Sequence, residues 1–103
     1  MDLKKRLGKR IQELRVDRGL KQAELAELVG IATKTQSCVE TGRNFPSADL
    51  LERYAKVFKV DVEEVLNITH IKETVVMLSE INILLQKAPE HKIVSVYKFL
   101  RSI

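Results

Sequence analysis

Apolar residues at Leu3, Leu7, Ile11 and Leu14 recur at intervals of four, four and three, with Lys, Arg, Gln and Glu between them. That spacing predicts an amphipathic helix of about four turns. Gly19 is placed to end it, because a glycine can take the left-handed conformation that turns the chain sharply. A second, shorter apolar series, Ala23, Leu25, Ala26 and Val29, stops at Gly30, and a third short helix runs from there through Thr41 to Gly42. Arg43-Asn44-Phe45-Pro46 follows as a loop that proline keeps from remaining helical. Ser47 is placed to cap a fourth helix, whose positions Leu50, Leu51, Tyr54, Ala55, Val57 and Phe58 form a broad buried stripe. Asp61, with Glu64 three residues on, has the pattern of a capping box for a fifth helix that buries Val62, Val65 and Leu66.

These five helices occupy residues 1–66, and residues 67–103 carry a different pattern. Thr69 is placed to cap a helix through Lys87, and Pro89 to start another through Arg101. Ile71, Val75, Leu78, Ile81 and Leu85 make one apolar stripe, and Ile93, Val96, Leu100 and Ile103 a second. Val76, Ile83, Val94 and Phe99 broaden both, so this hairpin needs more than one packing partner.

Composition narrows the class. A chain of 103 residues is one domain or a small domain with an appendage, which argues against a multidomain enzyme. It is 45% apolar but only 5% aromatic, with no Trp and two Pro, so its core must be built from Leu, Ile, Val and Ala packed between helices. An all-α fold is expected. The single Cys38 cannot form an internal disulfide, and no apolar stretch follows the basic start Lys4-Lys5-Arg6, so a cytoplasmic protein is expected. No apolar run approaches the roughly 18–20 residues that span a bilayer. The net charge of +4 is uneven: residues 1–45 hold ten cations against six anions, residues 46–66 three against five, and residues 67–103 five against three. A positive excess at one end suits a phosphate-binding face and equally suits a solvated Lys-rich helix.

The segment Gln22-Ala23-Glu24-Leu25-Ala26-Glu27-Leu28-Val29-Gly30-Ile31-Ala32-Thr33-Lys34-Thr35-Gln36-Ser37-Cys38-Val39-Glu40-Thr41-Gly42-Arg43, with Pro46-Ser47 beyond it, resembles the Cro/CI-type (XRE) helix-turn-helix family over residues 6–66. The resemblance rests on the small Ala26 at a helix crossing, the turn glycine Gly30, the anchors Ile31 and Val39, and the Glu-x-Gly-Arg sequence. It implies a five-helix lambda-repressor-like DNA-binding domain followed by the C-terminal hairpin, with double-stranded DNA as partner. A short helix docked through small and apolar residues leaves an outer face whose width suits the major groove.

On that face the resemblance places Thr33, Lys34 and Cys38 at base-contacting positions, with Ser37 nearby. Lys34 can donate to guanine O6 and N7, and the Thr33 methyl can meet a thymine methyl. Gln22 matches a glutamine that bonds a phosphate, and Lys21, Arg43 and Asn44 flank the same groove. Lys9 and Arg10 either reach the outer backbone or are simply solvated. Arg15 and Glu40 match a structural pair that joins the first and third helices.

The chain departs from the family pattern at two positions, Ala32 for the usual Ser or Thr and Gln36 for an aliphatic residue. A buried, unpaired Gln amide costs about 1–3 kcal/mol. A Thr33-x-x-Gln36 capping box, with the helix starting one residue late, would account for both departures. Catalytic, metal-ligand and phosphate-loop patterns are absent, so no enzyme activity, metal or cofactor is expected. Cys38 near Lys34 has the makings of a redox-responsive thiol.

Three readings of function stand. The first is a transcriptional regulator, a repressor, whose hairpin makes a homodimer on a palindromic operator through Ile71, Val75, Leu78, Ile81, Leu85, Ile93, Val96 and Leu100. The second is an antitoxin or restriction-modification controller whose hairpin docks a protein partner. The third is an interaction module that no longer reads DNA. The alternative for the hairpin is to fold back on its own chain.

Overall fold

The computed structural model describes residues 1–103, and the fold is all-α. Seven helices follow in order: α1 Leu3–Asp17, α2 Gln22–Val29, α3 Thr33–Glu40, α4 Ala48–Phe58, α5 Val62–Val65, α6 Thr74–Lys87 and α7 Glu90–Ser102. The chain divides into two compact units, Met1–Ile71 and Lys72–Ile103. The first holds the five-helix, lambda-repressor-like core, and the second is the two-helix hairpin α6–α7.

In the first unit the apolar stripe of α1 is buried at Leu7, Ile11 and Leu14 against Leu25 and Val29 of α2, Val39 of α3, the α4 stripe and Val65 of α5. Asp2 caps α1 by accepting from the Lys5 N–H at 2.9 Å, and Ser47 caps α4 by accepting from Leu50 at 3.1 Å. Two close approaches lock α1 onto α3. A methyl group at Gly8 would lie 2.6 Å from the Glu40 carbonyl oxygen and nearer still to that of Val39. One at Gly42, whose φ is 79°, would lie 2.7 Å from the Lys5 Cα. Backbones can meet this closely only where no Cβ intervenes.

Three local expectations give way to longer-range bonds. Asp61 makes no side-chain cap, and Glu64 reaches Arg10 instead of back to residue 61, with Arg10 Nη2 donating to both its carbonyl and its carboxylate at 2.9 Å. Helix α6 starts at Thr74 rather than just after Thr69, because Arg6 takes the carbonyls of Ile68 and Ile71 at 2.9 and 3.0 Å and the Thr69 hydroxyl turns to Asn67. Ile71 is consequently buried in the first unit, outside the α6 stripe to which the periodicity assigned it. Pro89 is the cap of α7, one residue before its first turn.

His70 pins the same segment to α1 through the Glu13 carboxylate at 2.8 Å. Burial acts to raise the Glu13 pKa, but hydrogen bonds from His70 and Arg10 and their charges outweigh it and hold this carboxyl below its ordinary value.

The hairpin stands apart in its packing. Neither α6 nor α7 contains a buried residue. Val75, Leu78, Ile81, Ile93 and Leu100 are exposed, and Leu85 and Val96 are half-buried.

Candidate nucleic-acid interface

The turn between α2 and α3 is made by Gly30, left-handed at φ 77°, which lets the Ile31 N–H return to the Ala26 carbonyl at 2.9 Å. Arg53 of α4 closes the end of α2 by donating to the Val29 carbonyl at 2.9 Å. At the other end of α2 the Glu24 carboxylate accepts from the Lys21 N–H at 2.9 Å. These bonds fix the angle at which α3 leaves the turn. Along α3 the two sides differ: Gln36, Val39 and Glu40 are buried, Thr33, Lys34 and Thr35 are exposed, and Ser37 and Cys38 are half-buried. Thr33, Lys34, Ser37 and Cys38 therefore share the side that faces away from the core.

Gln36 is 0% exposed and makes no capping box. Ala32 is the cap residue of α3 and supplies no side-chain bond, so the expectation of a Thr33-x-x-Gln36 box fails. The Gln36 amide turns inward instead: its Nε2 donates to Glu40 Oε2 at 2.6 Å, and its Oε1 accepts from the Tyr54 hydroxyl at 2.6 Å. Both ends of the amide are satisfied, and the desolvation cost anticipated for it does not arise. Thr33, freed from capping, keeps its side chain for the outer surface.

Glu40 is the hub of this network. Arg15 meets it with two bonds, Nε to Oε2 at 2.9 Å and Nη2 to Oε1 at 3.0 Å, and a third Arg15 bond reaches the Leu20 carbonyl at 2.7 Å. The paired geometry joins α1 to α3 as the resemblance implied. Gln22 Nε2 donates to Glu40 Oε1 at 3.3 Å, which holds one amide N–H and leaves the other pointing elsewhere. Burial, and next the negative charge of Glu40, push the Tyr54 phenol well above its ordinary pKa, so it remains a neutral donor to Gln36.

Beyond α3 the chain doubles back. The N–H groups of Arg43 and Asn44 both bond the Cys38 carbonyl, at 2.9 and 3.2 Å, and both side chains are exposed. Lys21, Gln22, Arg43 and Asn44 thus flank α3 from the start of α2 and from the loop after α3. Arg10 does not join them, being 7% exposed and held by Glu13 and Glu64. No group of three or more His, Cys, Asp or Glu side chains is placed to hold a metal ion, and no helix is long and apolar enough to cross a membrane.

Sequence reasoning missed Gly8 and the role of Tyr54. A glycine inside a helix costs about 0.5–1 kcal/mol against alanine and so signals a close approach, and a Tyr on a buried stripe requires a partner for its hydroxyl.

A helix presented in this way, with a polar outer side and a core-anchored inner side, defines a helix-turn-helix DNA-binding protein. The family model described as a helix-turn-helix domain matches residues 6–67. The chain is 37% identical over 68 residues to the ImmF control region 10 kDa protein of Bacillus phage phi105, covering 66% of this chain and 74% of that protein. It is 33% identical over 58 residues to the cryptic phage CTXphi transcriptional repressor RstR of Vibrio cholerae, covering 56% of this chain and 52% of that one. Its fold matches the biofilm master regulator SinR in complex with DNA with a TM-score of 0.56 at 34% identity, over 59% of this chain and 98% of that one. The chain belongs to the Cro/CI-type (XRE) helix-turn-helix transcriptional regulators, and it is a sequence-specific DNA-binding protein rather than an enzyme.

Proposed function

We propose that the protein is a cytoplasmic transcriptional repressor that binds a palindromic operator as a homodimer, with α3 in the major groove. The observation that carries this reading is the division of α3 into a buried, hydrogen-bonded side and an outer side bearing Thr33, Lys34, Ser37 and Cys38. These four contact base edges, while Lys21, Gln22, Arg43 and Asn44 hold phosphates and set the register. The Arg15–Glu40 pair fixes the angle of the reading helix. The repressor role is supported by the likeness to RstR, and duplex binding by the likeness to SinR in complex with DNA.

The hairpin supplies the dimer contact through Val75, Leu78, Ile81, Leu85, Ile93, Val96 and Leu100. Exposed apolar side chains in this number on one helical hairpin support an association site. Twofold pairing would set two α3 helices one DNA turn apart, about 34 Å.

Selection of bound sequences from random duplexes tests the reading. An inverted repeat is the expected product. Lys34→Ala should relax the preference at one position in each half-site, with discrimination falling by about 1–3 kcal/mol, whereas Gln22→Ala should weaken all sequences alike. Unchanged retention in both variants contradicts the assignment of the interface. Sedimentation should find a dimer at micromolar concentration, and Leu78→Asp should convert it to a monomer with weaker operator binding.

A further inference from the structure

A cleft of about 310 Å³ opens between α1 and the edge formed by α2 and α3, with Met1, Lys5, Lys9, Gln12, Gln22 and Thr41 in its wall. Lys5, Lys9 and Gln12 fall one turn apart on a single face of α1, all exposed and turned from the buried Leu7, Ile11 and Leu14. The close approach at Gly42 carries Lys5 to the end of α3, and Gly8 brings the same helix against Val39 and Glu40. Two lysines distant in sequence from the helix-turn-helix are thereby set beside its last turn.

The charges in this cleft are unevenly committed. Neither the Lys5 nor the Lys9 ammonium takes part in an ion pair. The one carboxylate at the cleft, Glu40, has a side chain only 2% exposed and is neutralised by Arg15. The arginines of α1 are engaged: Arg6 holds backbone carbonyls of the segment leaving α5, Arg10 holds Glu13 and Glu64, and Arg15 holds Glu40, while Lys4, one residue before Lys5, is exposed and unpaired but does not line the cleft. A cleft with two free ammonium groups, amide donors and a neutralised acid is complementary to an anion of phosphate chemistry.

We infer that this cleft seats a backbone phosphate of the bound duplex, beyond the base-reading contacts, with Lys5 and Lys9 as its cationic anchors and Gln12 as a neutral donor. The inference rests on the DNA-binding reading above and deepens it. Gln22 lines the cleft and also belongs to the phosphate contacts flanking α3, so the same strand that passes Gln22 runs on to Lys9 and Lys5. The contact carries no base information; it lengthens the footprint and steepens the salt dependence.

The test uses the full chain and the duplex obtained from selection. Lys5→Gln with Lys9→Gln should make the log–log salt dependence shallower by about one to two, each lost contact being worth about a threefold change in affinity between 50 and 200 mM salt. The selected sequence should stay the same, and ethylation of a phosphate outside the Gln22 contact should interfere with wild-type binding but not with the variant. Lys5→Arg with Lys9→Arg should preserve both signals. Lys56→Gln with Lys59→Gln, which removes the same charge from exposed positions in the last turn of α4 and at its C-cap, should alter neither. An unaltered slope and interference pattern in the Lys5/Lys9 variant, with wild-type binding intact, overturns the cleft assignment alone. Absence of salt-dependent duplex binding by the wild type overturns the DNA-binding reading and the cleft with it.

Discussion

Glu40→Ala should lower the stability of the first unit by about 3–5 kcal/mol, the usual consequence of removing one member of a buried ion pair. The Glu40 carboxylate receives four donors, two from Arg15 and one each from Gln22 and Gln36, and its side chain is 2% exposed. Its loss leaves a guanidinium and the Gln36 amide facing a cavity with no acceptor. In a domain of this size the melting temperature should fall by about 12 °C or more, measured on the full chain by circular dichroism. A fall of only about 5 °C would mean that water enters and takes over the acceptor role. The network also yields an internal comparison. Tyr54→Phe alone strands the Gln36 oxygen, and Gln36→Leu alone strands the Tyr54 hydroxyl. The double variant removes both ends of that bond, so it should be less destabilised than the sum of the single variants.

Gly8→Ala should destabilise by about 3 kcal/mol, against the ordinary sign of a glycine-to-alanine change inside a helix, which is a gain of about 0.5–1 kcal/mol. The added methyl would sit 2.6 Å from the Glu40 carbonyl oxygen and 2.9 Å from its carbonyl carbon. Those are backbone atoms, so relief requires α1 and α3 to separate as bodies. The Arg15–Glu40 pair spans the same gap and would be stretched with it. With α3 reading DNA as proposed, DNA affinity should therefore drop even at temperatures where the variant is fully folded, since the angle of that helix is what shifts. The comparison of melting curve and binding isotherm at 10 °C checks this, and a variant more stable than the parent would refute the close approach.

The parts of the fold that were legible in the amino-acid sequence are those decided by neighbours three or four residues apart. The Leu7, Ile11, Leu14 stripe, the left-handed stops at Gly19 and Gly30 and the Ser47 cap all follow from local spacing, and each has its counterpart in the structure. The Arg15–Glu40 pair, 25 residues apart, came only through family resemblance. What stayed hidden was competition between a near partner and a far one. Gln36 had the Thr33 backbone N–H three residues away and accepts instead from the Tyr54 hydroxyl, because helix α3 turns that amide into the core. Glu64 had Asp61 beside it and bonded Arg10. The start of α6 was displaced by Arg6, more than sixty residues upstream, which occupies the carbonyls of Ile68 and Ile71. None of these choices has a signature in periodicity, since each depends on which helix arrives opposite.

The bare hairpin has a consequence for abundance. Helices of 14 and 13 residues with no buried side chain lie near the length at which an isolated helix is only marginally populated in water. With twofold pairing as proposed, the helical content of the tail rises with protein concentration, because mass action favours whichever state has a partner. For a repressor of the kind proposed, operator occupancy then climbs more steeply than in proportion to the number of molecules made, and a modest drop in synthesis would open the promoter abruptly.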